Sequence, residues 1–243
     1  MIRNTLPTIA GMFCIALFGS LSAKPHWMSF NGSGMAIESD VATGKAKFPG
    51  PSVTVIGEDK NGAKTDVLRD INRYTISMQI SGFVCGEVSF DNEGFNTISI
   101  PETAPQSLEI GKPAVPVKRL ILPIPSGMKP SVKVRKSDET TIENISLEPA
   151  QPPVTDMRKR GPLVKDASTY LSDQHFPAGN IMHVEVFKMR NKRFLIVDLA
   201  PVRVRPASRS LTAARSLDVE VTFAKDDSKE SQVEEDLSDP FEK

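Results

Sequence analysis

After its first two dozen residues this sequence holds a single cysteine, Cys85, because the other, Cys14, lies in the apolar opening stretch. One thiol cannot close an intramolecular disulfide, so stability has to come from packing. Cys85 sits between Phe83-Val84 and Gly86, the setting of a buried structural thiol rather than an activated one. One tryptophan and two tyrosines offer little to line a sugar cleft, and nothing singles out a carboxylate pair for glycoside chemistry. No run after residue 23 approaches the roughly 18 apolar residues of a membrane-spanning helix. Phosphate loop, zinc spacing and EF-hand are all missing, so no cofactor or metal is expected. Asn31-Gly32-Ser33-Gly34 only imitates the Gly-x-Ser-x-Gly elbow. The three histidines, His26, His175 and His183, are scattered, and a catalytic residue is expected at none of them. No segment patterns as an amphipathic helix of 12 residues or more, although Val67–Tyr74 has room for one turn or two.

What is there begins with an export signal. Arg3 supplies the positive start, Ile9–Phe18 the apolar stretch, and Gly19-Ser20-Leu21-Ser22-Ala23 the small-residue exit. Cleavage is expected after Ala23, giving a secreted or extracytoplasmic product with no membrane span. Removal of the first 23 of 243 residues leaves 220, enough for a substantial core. The net charge is zero overall, yet Lys225–Lys243 carries eight acids against three bases. The rest is mildly basic, with no basic run interleaved with aromatics, so nucleic acid is not an expected partner. Composition divides the chain into a signal peptide (1–23), a flexible polar lead-in (24–50), a β domain (51–224) and an acidic disordered tail (225–243). Asn31-Gly32-Ser33 and Asn144-Ile145-Ser146 are glycosylation sequons, relevant only in a eukaryotic secretory route.

Within the β domain, short β-branched and apolar runs predict ten strands: Val53–Gly57, Tyr74–Ile80, Val84–Phe90, Phe95–Ile100, Val117–Leu122, Ser131–Arg135, Ile142–Leu147, Ile181–Met189, Arg193–Leu199 and Leu217–Phe223. The last alternates apolar and polar residues, as a half-buried strand must. Asp91–Gly94 and Met189–Lys192 read as hairpin links. Prolines cluster between Pro101 and Pro162, where edges, crossovers and loops are expected. The fold class is therefore all-β, an antiparallel, jelly-roll-like sandwich with proline-rich loops.

Three segments add a family signal: Gly111-Lys112-Pro113-Ala114-Val115-Pro116 before Leu120-Ile121-Leu122; Leu147-Glu148-Pro149-Ala150-Gln151-Pro152-Pro153; and Phe176-Pro177-Ala178-Gly179 followed by Pro201–Pro206 and Leu217–Phe223. In this order they resemble the N-terminal propeptide of gingipain-type cysteine proteases. Two departures mark distance from it: Val204-Arg205-Pro206 where the family shows Tyr-Asn-Pro, and the extra Ala178. The resemblance covers roughly Ser52–Ala224 and implies a non-catalytic domain that holds a protease latent and assists its folding. No protease domain follows Phe223, so the resemblance implies a cysteine protease partner supplied in trans.

One loop suits such a role. Pro152–Pro162 is proline-flanked and free of strand pattern, and Arg158-Lys159-Arg160 would fill an acidic specificity pocket. The same tribasic run also fits a processing site for a trypsin-like enzyme, or a plain solvated loop. A secreted β-sandwich adhesion module with no protease partner is the alternative function.

Overall fold

Alternation in Leu217-Asp218-Val219-Glu220-Val221 puts its apolar side chains on one face, where all three are buried. Around that face a β-sandwich assembles. In the computed structural model the described residues are 25–31, 34–40, 48–90, 92–103, 109–153 and 162–226. The strands are β1 His26–Asn31, β2 Gly34–Asp40, β3 Ser52–Glu58, β4 Arg73–Gln79, β5 Gly82–Phe90, β6 Glu93–Ser99, β7 Lys118–Pro123, β8 Met128–Glu143, β9 Ile181–Met189, β10 Lys192–Leu199, β11 Val202–Arg205 and β12 Ser210–Lys225. One short helix, α1, spans Ala167–Tyr170, and Leu68–Asp70 forms a single 3-10 turn inside the stretch expected to hold one.

Every strand pair is antiparallel. The sixteen-residue β12 organises the largest sheet. β8 runs along one of its edges from end to end; β11 and then β4 share the other, with β3 outside β4. Rows of paired residues run across this sheet: Val53–Met78–Leu217 packs into the core, and Val55–Ile76–Val219 buries Ile76 and Val219 while Val55, at its outer end, is exposed. A second sheet, β7-β10-β9, contributes Leu122, Leu195, Val197 and Leu199 to the same core. The third, β2-β1-β5-β6, contributes Phe83, Cys85 and Ile98. The Tyr74 hydroxyl donates to the Pro123 carbonyl at 3.0 Å and ties the first two sheets together.

The antiparallel sandwich expected from the sequence is what forms, and the buried Cys85 is free of any disulfide. Three expectations are corrected. His26–Asp40, read as flexible lead-in, contains β1 and β2, and β1 pairs with β5. Trp27 is buried there at 3% exposure and stacks on Phe48 at 4.6 Å. Gly82 permits this, since a Cβ at that position would stand 2.2 Å from the Met28 carbonyl oxygen. Next, Ser131–Arg135 and the start of Ile142–Leu147 are one strand, β8; the chain leaves it at Asn144 (φ 64°), and Leu147 makes an isolated bridge to Asn96. Finally, β11 and the first seven residues of β12, Ser210–Ser216, lie outside the ten predicted strands. Ser210–Ala214 are buried on both faces, so alternation is absent.

Candidate functional site

The basic run Arg158-Lys159-Arg160 lies outside the described residues, which stop at Pro153 and resume at Pro162. The flanks of that gap are described, and they form a pinned neck. The segment from Gly111 runs against 148–151 as a short ladder. The Gly111 amide donates to Ala150 (2.7 Å), Ala150 to Lys112 (2.8 Å) and Ala114 to Glu148 (2.8 Å). Gly111 adopts φ +85°, a left-handed conformation that glycine takes at little cost. Asn96 of β6 holds the other side of this segment, with its amide donating to Ser146 (2.6 Å) and its carbonyl accepting from Glu148 (2.9 Å).

The return side is fastened to the same ladder. The Gln151 side chain mimics a strand: its Oε1 accepts from the Val164 amide (2.9 Å) and its Nε2 donates to the Val164 carbonyl (2.8 Å). That Nε2 also reaches the Pro149 carbonyl at 3.0 Å. The Asp166 amide donates to Gly111 (2.9 Å). Asp166 then caps α1. Its carboxylate accepts from the Ser168 and Thr169 hydroxyls at 2.6 and 2.8 Å, bonds that hold its pKa below the usual carboxylate range. The helix ends on Tyr170, whose hydroxyl donates to the Leu147 carbonyl at 2.8 Å. Burial, with Glu148 and Glu93 nearby, pushes the Tyr170 pKa up. Lys165 lies 5.2 Å from the Phe95 ring centre and 4.9 Å from that of Tyr170, and it pairs with Glu93. Residues 151 and 164 are thus held within hydrogen-bond distance by groups on three separate segments. Beside the neck, Ile110 and Val164 are 52% and 39% exposed, and Leu171 after α1 is 82% exposed. A rigid base fringed by exposed apolar side chains suits binding a macromolecular surface.

The residues that could have supported cysteine chemistry are arranged otherwise. Cys85 is 3% exposed, and burial, with Glu87 close by, pushes its thiol up to about 11. The register sets His26 of β1 opposite Cys85, a closeness the sequence could not reveal. A thiol with that pKa stays protonated at neutral pH and is a poor nucleophile. His183 hydrogen-bonds Glu185 at 3.2 Å. His175 approaches the Thr212 hydroxyl at 3.3 Å, and burial and the charges of Arg203 and Arg205 lower its pKa. Among the described residues no cluster of three metal-ligating side chains occurs, and no helix is long and apolar enough to cross a membrane.

Sequence reasoning found the basic loop and missed its fastening. Asp166-Ala167-Ser168 carried a readable signal, an N-cap residue two before a serine. Gln151 and Lys165 carried none, because their partners lie on distant segments.

Comparison with known proteins bears on the family and the fold. Residues 69–240 match the Propeptide_C25 family. Lys-gingipain of Porphyromonas gingivalis (strain ATCC 33277) is 28% identical over 137 residues, which cover 53% of this chain and 8% of that much longer protein. A structure from work on the zymogenic latency of gingipain K of P. gingivalis superposes with a TM-score of 0.58 at 22% identity, over 74% of this chain and 96% of the other. A complex of the P. gingivalis RgpB pro- and mature domains gives 0.57 at 18% identity, over 64% and 82%.

Proposed function

Because the chain belongs to the Propeptide_C25 family, we propose that it is a regulatory domain whose partner is a gingipain-type cysteine-protease domain, which it binds and keeps inactive. The family match, which spans most of the β domain, carries this reading. In it the domain does no chemistry of its own. The buried, protonated Cys85 supports that part. The solved structure holding pro- and mature domains together supports a protease as partner.

The loop between Gln151 and Val164 is our candidate for the inhibitory element. Its support is the neck. A loop whose ends are already fixed loses less entropy on binding than a free one. Arg158, Lys159 or Arg160 would enter an acidic pocket, and breaking such a buried charge pair costs on the order of 2–5 kcal/mol. We further propose that the protein is exported, on the strength of the charged, apolar and small-residue pattern of residues 1–23. Nothing specific favours the adhesion-module alternative.

The test is an inhibition assay. A gingipain-type protease domain is titrated with the full chain, and hydrolysis of Arg- and Lys-peptide substrates is followed. The wild-type chain should inhibit, and the set Arg158→Glu, Lys159→Glu, Arg160→Glu should lose inhibition by about 30-fold or more, as expected for a loss of 2 kcal/mol or more. Full inhibition by that triple variant would place the contact elsewhere. No binding by the wild-type chain would remove the regulatory reading itself.

A further inference from the structure

β8 is a sixteen-residue strand with β12 on one side and, among the described residues, no strand on the other. An edge this long exposes a row of backbone groups that invite pairing by another chain. Part of the row is blunted. The Phe223 amide points to the β4 side, where it donates to Asn72, so its partner Pro130 turns its nitrogen toward the open edge, where no N–H is needed. The amides of Val132 and Val134, in step with Pro130, also face outward, and the Val134 side chain is 38% exposed.

The charge along this edge has one sign at its start. From Met128 to Lys136 there are four bases, Lys129, Lys133, Arg135 and Lys136, and no acid. Arg135 lies 3.8 Å from Glu220. Lys133 and Lys136 stand opposite Glu220 and Asp218 in register, yet neither they nor Lys129 form an ion pair among the described residues. Glu220 is shared with Arg73, and Asp218 accepts from the Ser77 hydroxyl.

The chain itself supplies the matching charge beside this edge. β12 ends with Lys225 opposite Met128, and the Asp226 amide donates to the Gly127 carbonyl at 2.8 Å. The described chain therefore ends at Asp226, beside Gly127 and two positions from Lys129. Residues 227–243 hold seven acids and two bases, grouped around Glu234-Glu235-Asp236. Seventeen residues can reach about 55 Å, and the stretch from Lys129 to Lys136 is only about 23 Å long. The family match also runs on to residue 240, past the last strand.

We propose that the acidic segment 227–243 docks on the basic start of β8 in the same chain and caps this open sheet edge. The occupant is the chain's own segment rather than a second copy, because the tether keeps it close by at any protein concentration.

Carbodiimide coupling of the full chain, followed by mass spectrometry, tests this. Lysines 129, 133 and 136 should couple to carboxylates of 230–242 in preference to the other exposed lysines. In a mixture of isotopically light and heavy protein the products should join residues of one chain. Raising the salt from 0.1 M to 1 M shortens the screening length from about 10 to about 3 Å and should cut these products about tenfold. Lys129→Glu with Lys133→Glu and Lys136→Glu should abolish them, and adding Glu234→Lys, Glu235→Lys and Asp236→Lys should restore coupling. Products spread over surface lysines in proportion to exposure, products mainly between light and heavy chains, or indifference to salt would each overturn the proposal. The salt series uses the wild-type protein, so a variant that fails to fold does not stop the test.

Discussion

Replacing Gln151 by alanine should loosen the neck while leaving the sandwich intact. The side chain makes three hydrogen bonds, two with Val164 and one with the Pro149 carbonyl, at 2.8–3.0 Å. A neutral bond of this kind contributes about 0.5–1.5 kcal/mol net. Val164 is partly exposed, so water can satisfy the freed groups, and the low end of that range applies to each bond. The sum is about 1.5 kcal/mol, a factor of roughly 10 in the equilibrium between closed and open neck. Opening is local, because the residues anchoring β12 and β4 are untouched. Native-state hydrogen exchange read at single amides is the assay. The Val164 amide should lose about 10-fold in protection, those of Val219 and Val221 in β12 should not change, and cleavage by trypsin after Arg158–Arg160 should quicken. Unchanged protection at Val164 would show that Gln151 does not hold the neck. An equal loss throughout β12 would show that the neck and the sandwich open together, refuting the idea of a separable loop base.

Leu217→Ala removes a fully buried side chain from the central strand and should cost about 2–5 kcal/mol, measured as a lower urea midpoint at constant slope. Gly82→Ala forces a Cβ into the Met28 carbonyl and the Trp27 ring. It should release β1, and fluorescence from the single tryptophan should shift to the red while β12 stays folded. Cys85 ties stability to alkaline pH. Its folded pKa, about 11, lies above the ordinary 9, so the folded state holds the proton more firmly. That contribution is complete below pH 9 and disappears as the pH rises through 11, a loss of about 2–3 kcal/mol. Stability profiles of the wild type and Cys85→Ala between pH 8 and 11 should converge, and parallel profiles would refute this.

Legibility in the sequence followed exposure. β9 and β10 were readable almost to the residue because each has a hairpin link at Arg190-Asn191 and a bounded apolar run. β8 read as two pieces. An edge strand wet on both faces needs no alternation, and the pattern breaks at the irregular pairing near Arg135, followed by the polar stretch Lys136–Thr141. β1 escaped notice because its strand character depends on Trp27 finding Phe48 and Gly82, partners 21 and 55 positions further on.

Local chemistry determined much by itself. One thiol, ten short β-branched and apolar runs and turn residues between them pointed to a packed antiparallel sandwich, and the ordered Gly/Pro segments indicated the propeptide family. Periodicity and turn residues act over a few neighbours, so they survive in the linear text. The tertiary structure decided which strands neighbour one another, that His26 faces Cys85, that the basic start of β8 has no strand on its outer side among the described residues, and that Gln151, Lys165 and Asp166 fasten the flanks of the basic run. Those facts depend on contacts between residues far apart in the chain, and such contacts exist only once burial of the shared core has set the register of the sheets.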